Sequence, residues 1–507
     1  MPLFRALMKW SNNSTEVNSM NFLAFDLGAS SGRAILGILK DGKLELQEIH
    51  RFPNGHKEID GKFFWDYPAL AKELKEGLKK ALAVTRDIAA IGVDTWGVDY
   101  VLFDKDTREM KRLPYMYRDT RTEKYIEEVW SKVSRDEIYS RTGIQFMPFN
   151  TLYQLYAHKQ EHPEDFENAQ FLHMPDALAF ALGGNFETEY TIASTGNCVD
   201  AKTQDWDFEL IDKLGLPRSI FPKIVQPCSY SGVLSEELQK KLNAPAIPII
   251  KVGGHDTASA VVAVPAQPGE KFAYISCGTW ALLGAELNAP SLDVKNQIFT
   301  NEGGVDRTIR YLTNIMGCWL LQETRRDWVA NGKDIGFAEM SKTGSQTEGF
   351  KYLINPNNAF FAAPGEMPRR IREFASRYTP EAADMSDADL LRTLYDSLGL
   401  CFRAKLAELA NITGVDYKVL NIIGGGTQDK TLMQASADAG QITVVAGPIE
   451  ATAIGNILAM AMALKAVSSL DDARAIVRNS FEVITYTPDK AKAAKWDEAF
   501  EKFSKID

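Results

Sequence analysis

Phe22 to Leu36 reads FLAFDLGASSGRAIL, and Phe272 to Glu286 reads FAYISCGTWALLGAE. Each is an apolar run, a tight turn of Gly, Ser and Thr, then a second apolar run, so each predicts a β-hairpin. Asp26 and Gly28 of the first align with Ser276 and Gly278 of the second. Small residues at such a turn leave backbone N–H groups and hydroxyls free, which is what a polyphosphate tail requires. Neither stretch matches the GxxxxGK[ST] phosphate loop.

The correspondence extends downstream. IAAIGVDTWGVDY (88–100) and VLNIIGGGTQDK (419–430) each read as a buried strand ending in Gly-rich polar residues, and the second runs into the helical pattern TLMQASADAG. Two parallel similarities in the same order indicate an internal duplication. The join falls in VPAQPGEK (264–271), where Pro265 and Pro268 break helix and Gly269 precedes the second hairpin. The expected organisation is a loose extension over 1–20, a first domain over 21–264 and a second over 265–507. Strands and helices alternate after each hairpin, and 57–84 and 388–413 both end in amphipathic helix, so the fold class is α/β.

Composition narrows the function. The chain carries 57 Lys+Arg against 67 Asp+Glu, a net charge of −10, and no basic run, which argues against nucleic-acid binding. Cys198, Cys228, Cys277, Cys318 and Cys401 lie far apart, without the spacing of a zinc site or redox dithiol, and read as reduced cysteines of a cytoplasmic protein. No apolar stretch approaches the roughly 18 residues of a membrane span, and Arg5 and Lys9 interrupt the opening MPLFRALMKW, which argues against a signal peptide.

Several residues carry chemistry, each with a plainer structural alternative. Asp26, before the turn Gly28-Ala29-Ser30-Ser31-Gly32-Arg33, suits either Mg²⁺ beside a bound triphosphate or a turn Asp bonding its own backbone. Asp256 in KVGGHDTASAV reads as a helix N-cap or as a general base for a hydroxyl attacking phosphorus. His255 beside it reads first as a surface or capping residue. Trp96, Gly97 and Asp99 end a strand, where open α/β sheets collect ligands, although a Trp there also serves as core packing. Tyr117-Arg118-Asp119-Thr120-Arg121 suits a polyol or a solvated loop. Asn314 precedes an apolar helical run as its N-cap, with Gln322 about two turns on. Gly424, Gly425 and Gly426, between a strand and a helix, allow close approach of a flat ligand such as an adenine with its ribose.

Taken together, DLGASSGR (26–33), GVDTWGVDYVLFD (92–104), YRDTRT (117–122), GGHDTASAV (253–261), SCGTW (276–280), NEGG (301–304), NIMGCWLLQ (314–322), GGGTQ (424–428) and AGPIEATAIGN (446–456) resemble the FGGY family of carbohydrate kinases, in particular its members acting on L-rhamnulose. The resemblance runs from about residue 21 to 480 and implies the actin-like ATPase fold, two RNase H-like domains closing on a central cleft. It implies transfer of the γ-phosphate of Mg·ATP to the 1-hydroxyl of L-rhamnulose; another ketose, such as L-fuculose or xylulose, and a non-catalytic actin-like nucleotide switch are the competing readings. By motif match, Ala29, Ser30, Ser31, Gly32, Arg33, Thr279, Asn314, Gln322 and Gly425 would bind nucleotide, Gly97 and His255 the sugar, Asp256 would be the general base, and Asp26 would take the place associated with Mg²⁺. The implied partners are a small ketose and ATP, with no nucleic acid or membrane; the motifs do not specify an oligomeric state. The family string at the second hairpin is often SSGTW, and Cys277 replaces its middle Ser.

Overall fold

The computed structural model describes residues 19–507, so residues 1–18 of the expected loose extension lie outside it. The chain divides into two compact units. The first comprises the chain up to Ala263 together with Glu286–Tyr311 and Thr452–Ser480; the second comprises Val264–Ala285, Leu312–Ala451 and Phe481–Asp507. The boundary at 263/264 lies beside the Pro-containing join, and the first unit also takes in two segments from later in the chain.

The first unit is built on a six-stranded sheet in the spatial order Ser229–Val233, Pro248–Lys251, Ile88–Thr95, Met20–Leu27, Ser31–Lys40, Lys43–Pro53. Met20–Leu27 pairs antiparallel with Ser31–Lys40 to form the hairpin, and parallel with Ile88–Thr95. Phe22, Leu23, Ala24 and Phe25 are all fully buried, as expected of a central strand covered on both faces. The helix Tyr67–Val84 covers one face. Asp66 caps it by accepting from the Ala69 N–H, and Leu70, Leu74, Leu78 and Leu82 recur at four-residue spacing to form its buried stripe. Gly77 lets that helix approach closely: a Cβ there would lie 2.9 Å from both Phe25 and Ala34.

The second unit repeats the opening. Ala273–Cys277 pairs antiparallel with Ala281–Leu287 and parallel with Val419–Ile423, which in turn pairs parallel with Thr443–Ala446. In both units, therefore, a hairpin contributes its first strand to a parallel pair whose partner ends in Gly-rich polar residues. The long helix Asp387–Thr413 starts at Ser386, whose hydroxyl accepts from the Asp389 N–H. It stops at Gly414, which takes the left-handed conformation at φ +67.

The helix Ala451–Ala463 returns, apart from its first residue, to the first unit. Gly455 makes this packing possible, since its Cβ position lies 1.7 Å from the Ser259 carbonyl oxygen and no side chain fits. Among the described residues, no helix is long and apolar enough to cross a membrane.

Candidate active site

Strand register assembles the first unit's polar strings. Parallel pairing sets Asp26 opposite Asp94, and Thr95 pairs with His255 while its N–H donates to the Gly254 carbonyl at 2.9 Å. DLGASS, DTWGVD and GGHDT thus lie side by side at the ends of neighbouring strands, where open α/β sheets bind ligands. In the hairpin, the Gly28 N–H donates to the Ser31 carbonyl at 2.9 Å. Asn54 holds the turn from outside, its Nδ2 donating to the Gly28 carbonyl at 2.7 Å and its N–H to that of Ser30 at 3.0 Å. Ser30 is exposed at the tip, with Ala29, Ser31 and Arg33 partly so; Gly32 is buried under the Phe52 ring, 2.3 Å from its Cβ position.

Three carboxylates gather here. Asp26 receives Arg33 Nη2 at 2.6 Å, its partner across the hairpin. Asp94 is completely buried; Oδ2 accepts from Asn456 Nδ2 at 2.6 Å, and Oδ1 has no hydrogen-bond partner. Burial, then repulsion from Asp26, push its carboxyl well above the usual range. Burial also raises Asp256; His255 opposes the shift and Asp26 adds to it. Asp256 is the first residue of the helix Asp256–Val262 rather than its N-cap. That position belongs to His255, whose side chain makes no capping bond and is only 12% exposed, so it is neither a capping nor a surface residue.

The Trp96–Asp99 turn is held from beneath. Asp99, fully buried, accepts from Trp65 Nε1 at 2.6 Å, Trp96 Nε1 at 3.0 Å, Gln154 Nε2 at 2.8 Å and the Tyr117 N–H at 3.1 Å. Burial pushes its carboxyl up to about 6 against those four donors. The Trp65 and Trp96 rings lie 4.1 Å apart, so Trp96 serves as packing. Val98 sits at φ +65, a strained conformation for a β-branched residue. It is fixed there by Thr195 Oγ1, which accepts from its N–H at 3.2 Å, and by Thr151 Oγ1, which donates to its carbonyl at 2.7 Å. Before it, Gly97 faces His255, whose Nε2 lies 3.4 Å from the Gly97 Cβ position. Of the YRDTR cluster, Asp119 and Arg121 are buried while Arg118 and Thr120 are exposed, so the stretch is solvated on one side only.

Beneath His255 lies a network that the motif reading left without a role. Arg310, fully buried, donates from Nε to the Gly303 carbonyl at 2.8 Å and from Nη1 to Thr257 Oγ1 at 2.7 Å. Its Nη2 lies 3.2 Å from His255 Nδ1 and 3.0 Å from Glu302 Oε2. Glu189 Oε2 accepts the Gly254 N–H at 2.9 Å, and burial pushes the Glu189 carboxyl up to about 7. Glu302 was visible in NEGG; nothing in sequence linked it to residue 255.

In the second unit, Thr279 Oγ1 donates to Gln322 Oε1 at 3.0 Å, so Gln322 is engaged rather than merely exposed. Asn314 is not a helix N-cap: it lies in the strand Ile309–Ile315, and the helix begins at Trp319. Gly424 adopts φ +90, and the Gly426 Cβ position falls 2.3 Å from Cys277 Sγ, whereas Gly425 is exposed with nothing within 4 Å. Cys277 and Cys318 are both free thiols, with their sulfurs 3.8 Å apart.

Comparison with known proteins identifies the family and the fold. The models of the FGGY family of carbohydrate kinases match over 21–263 for the N-terminal domain and 273–464 for the C-terminal domain. A rhamnulokinase of Bacteroides thetaiotaomicron is 43% identical over 95% of this chain and 98% of its own length. One of Bacillus subtilis is 37% identical, over 92% and 96%. Among solved structures, xylulose kinase from Lactobacillus acidophilus superposes with a TM-score of 0.80 at 16% identity, covering 96% of this chain and 97% of that one. Plasmodium falciparum glycerol kinase with ADP gives 0.77 at 19%, covering 95% and 97%, so the two-domain α/β fold is shared far beyond recognisable sequence. With nearly the whole chain matched at this identity, the protein belongs to the FGGY family of carbohydrate kinases.

Proposed function

We propose that the chain transfers the γ-phosphate of ATP to the 1-hydroxyl of L-rhamnulose, giving L-rhamnulose 1-phosphate and ADP. Rhamnulokinases at 37 to 43% identity over more than nine-tenths of the chain support the substrate. The observation that carries the chemistry is Asp256, a partly exposed carboxylate 3.5 Å from His255 Nε2, the same nitrogen that lies 3.4 Å from the Gly97 Cβ position.

In this reading Asp256 accepts the proton of the 1-hydroxyl as its oxygen attacks the γ-phosphorus and the bond to the β–γ bridging oxygen breaks. A carboxyl raised by burial is a stronger base than a solvated one, which suits that task. Gly97 leaves room for the sugar against backbone, and His255 bonds one of its oxygens. Ala29, Ser30, Ser31, Gly32 and Arg33 hold phosphate oxygens through backbone N–H groups and the guanidinium; Thr279, Asn314, Gln322 and Gly425 contact the nucleotide.

Mg²⁺ belongs to the same proposal. The residues fit it: Asp26 and Asp256 both add to the negative charge around Asp94, and Asp94 Oδ1 is buried without a partner. Among the described residues no group of three or more His, Cys, Asp or Glu surrounds a metal-sized point, so ATP would supply most of the ligands and Asp26 the protein's share. When bound, the cation neutralises charge on the β- and γ-phosphates. Free thiols at all five cysteines support a cytoplasmic location.

The test is ADP release with L-rhamnulose, L-fuculose, L-xylulose, D-xylulose and glycerol. The highest kcat/KM is expected for L-rhamnulose, with L-xylulose, which lacks its terminal methyl, about 10- to 200-fold lower, because a missing methyl discriminates only modestly. A different best substrate overturns the sugar assignment; ATP binding without turnover of any of them overturns the kinase reading in favour of a nucleotide switch.

A further inference from the structure

We propose that Arg310 and Glu302 are positioning residues that fix the His255 ring with its proton on Nε2, so that this N–H is presented to the sugar. The inference rests on the reading of His255 and Asp256 given above and concerns residues to which that reading assigns no role.

The argument is one of donors and acceptors. A guanidinium has no acceptor and keeps its proton, so in the 3.2 Å contact with Arg310 Nη2 the Nδ1 of His255 accepts. Thr257 Oγ1 lies 3.1 Å from the same nitrogen, closer than its 3.4 Å to Nε2. That hydroxyl already accepts from Arg310 Nη1 at 2.7 Å, which leaves its own hydrogen to point at Nδ1. With two donors aimed at Nδ1, the ring proton belongs on Nε2. Nε2 is also the nitrogen 3.5 Å from Asp256 Oδ1 and 3.4 Å from the Gly97 Cβ position, on the side assigned to the sugar.

Glu302 completes the arrangement as a counter-charge. Its Oε2 lies 3.0 Å from both Arg310 Nη2 and His255 Nδ1, without hydrogen-bond alignment to either. A fully buried guanidinium needs such a partner to stay in place. Glu302 lies in the strand Thr300–Gly303 and Arg310 in the strand Ile309–Ile315, so both are delivered by segments distant in sequence from GGHDT.

The experiment measures kcat and KM for L-rhamnulose and for ATP separately in Glu302→Gln and in the pair Glu302→Gln/Arg310→Met, each in the wild-type and His255→Asn backgrounds. The pair variant replaces the buried ions together and keeps the test available if the single change unfolds the protein. The expected result is a loss of about 10- to 100-fold in kcat/KM for the sugar, with the KM for ATP within about twofold. In the His255→Asn background the same changes should cost nothing further, because their effect passes through that ring. In ¹⁵N spectra of histidine-labelled protein, the His255 signal, assigned by its loss in His255→Asn, should report a bare Nδ1 and a protonated Nε2. Additive losses, an equal rise in the KM for ATP, or a protonated Nδ1 with a bare Nε2 overturns the inference. If His255→Asn alone leaves sugar kinetics unchanged, the site reading itself fails.

Discussion

Asn456 donates a hydrogen bond to Asp94 Oδ2 at 2.6 Å, joining residues 362 positions apart. It is the bond that makes a completely buried carboxyl beside Asp26 tolerable. Asn456→Leu should destabilise the protein by about 1–3 kcal/mol, the cost of leaving a buried acceptor without its donor. The Asp94 pKa lies above its unfolded value, so the folded state binds the extra proton and stability from this group falls as pH rises. Removing a donor that favours the ionised form raises that pKa further, so the loss should be larger at pH 8 than at pH 5. Thermal denaturation at the two pH values checks this; equal losses would mean that Asp94 does not titrate in the folded protein.

Asp256→Asn should lower kcat by about 10²–10⁴ while leaving the fold intact. Burial and Asp26 both disfavour charge on Asp256, so the neutral amide should melt no lower than wild type. Steady-state kinetics alongside calorimetry separates the two effects.

Gly97→Ala should spare folding, because the added Cβ would meet His255 Nε2 at 3.4 Å and Thr195 at 3.5 Å, ordinary contact distances. It would occupy the space assigned to the sugar. We expect the KM for sugar to rise about tenfold with the KM for ATP unchanged, the pattern of lost substrate binding.

Gly425 and its neighbour Gly424 should behave differently. Gly424 holds φ +90, so Gly424→Ala should cost about 1–2 kcal/mol of stability. Gly425→Ala projects into open space and should leave the melting temperature unchanged, so any rise in the KM for ATP would mark a nucleotide contact. An unchanged KM for ATP would remove Gly425 from the site.

Glu189 gives a second pH signature. Its pKa is raised from 4.5 to about 7 by burial, so it weakens the fold progressively as pH rises through that window. The stability of Glu189→Gln relative to wild type should therefore increase between pH 5 and pH 8. Urea unfolding at both values measures the difference, and a constant difference would refute the assignment.

The hairpins and the strand ends were legible because turn chemistry and apolar runs are local. Small residues at Gly28–Ser31 and the continuous apolar run leading to Asp94 need no knowledge of the rest of the chain. Asn314 reads as a cap in the sequence because the mostly apolar IMGCWLL that follows it joins the end of the strand Ile309–Ile315 to the helix starting at Trp319, and so short a stretch carries no periodicity to mark the boundary. In sequence His255 reads as a surface or capping residue because its partners, Glu302 and Arg310, lie about 50 residues on, and no local pattern connects them. Asp99 and Asn456 lie within the motifs, yet the donors that converge on Asp99 and the single bond from Asn456 involve Trp65, Gln154 and Asp94, brought together only by folding.

The chain passes between the two units at 263/264, 285/286, 311/312, 451/452 and 480/481, which constrains how such enzymes exchange parts. A chimera made by one crossover at the Pro-rich join would inherit GGHDT from one parent and the strands bearing Glu302 and Arg310 from the other. Asn456 would likewise arrive from a foreign parent beneath a native Asp94. Swapping sugar specificity within the family therefore calls for three coordinated grafts, and a library built on a single junction should be depleted of active members.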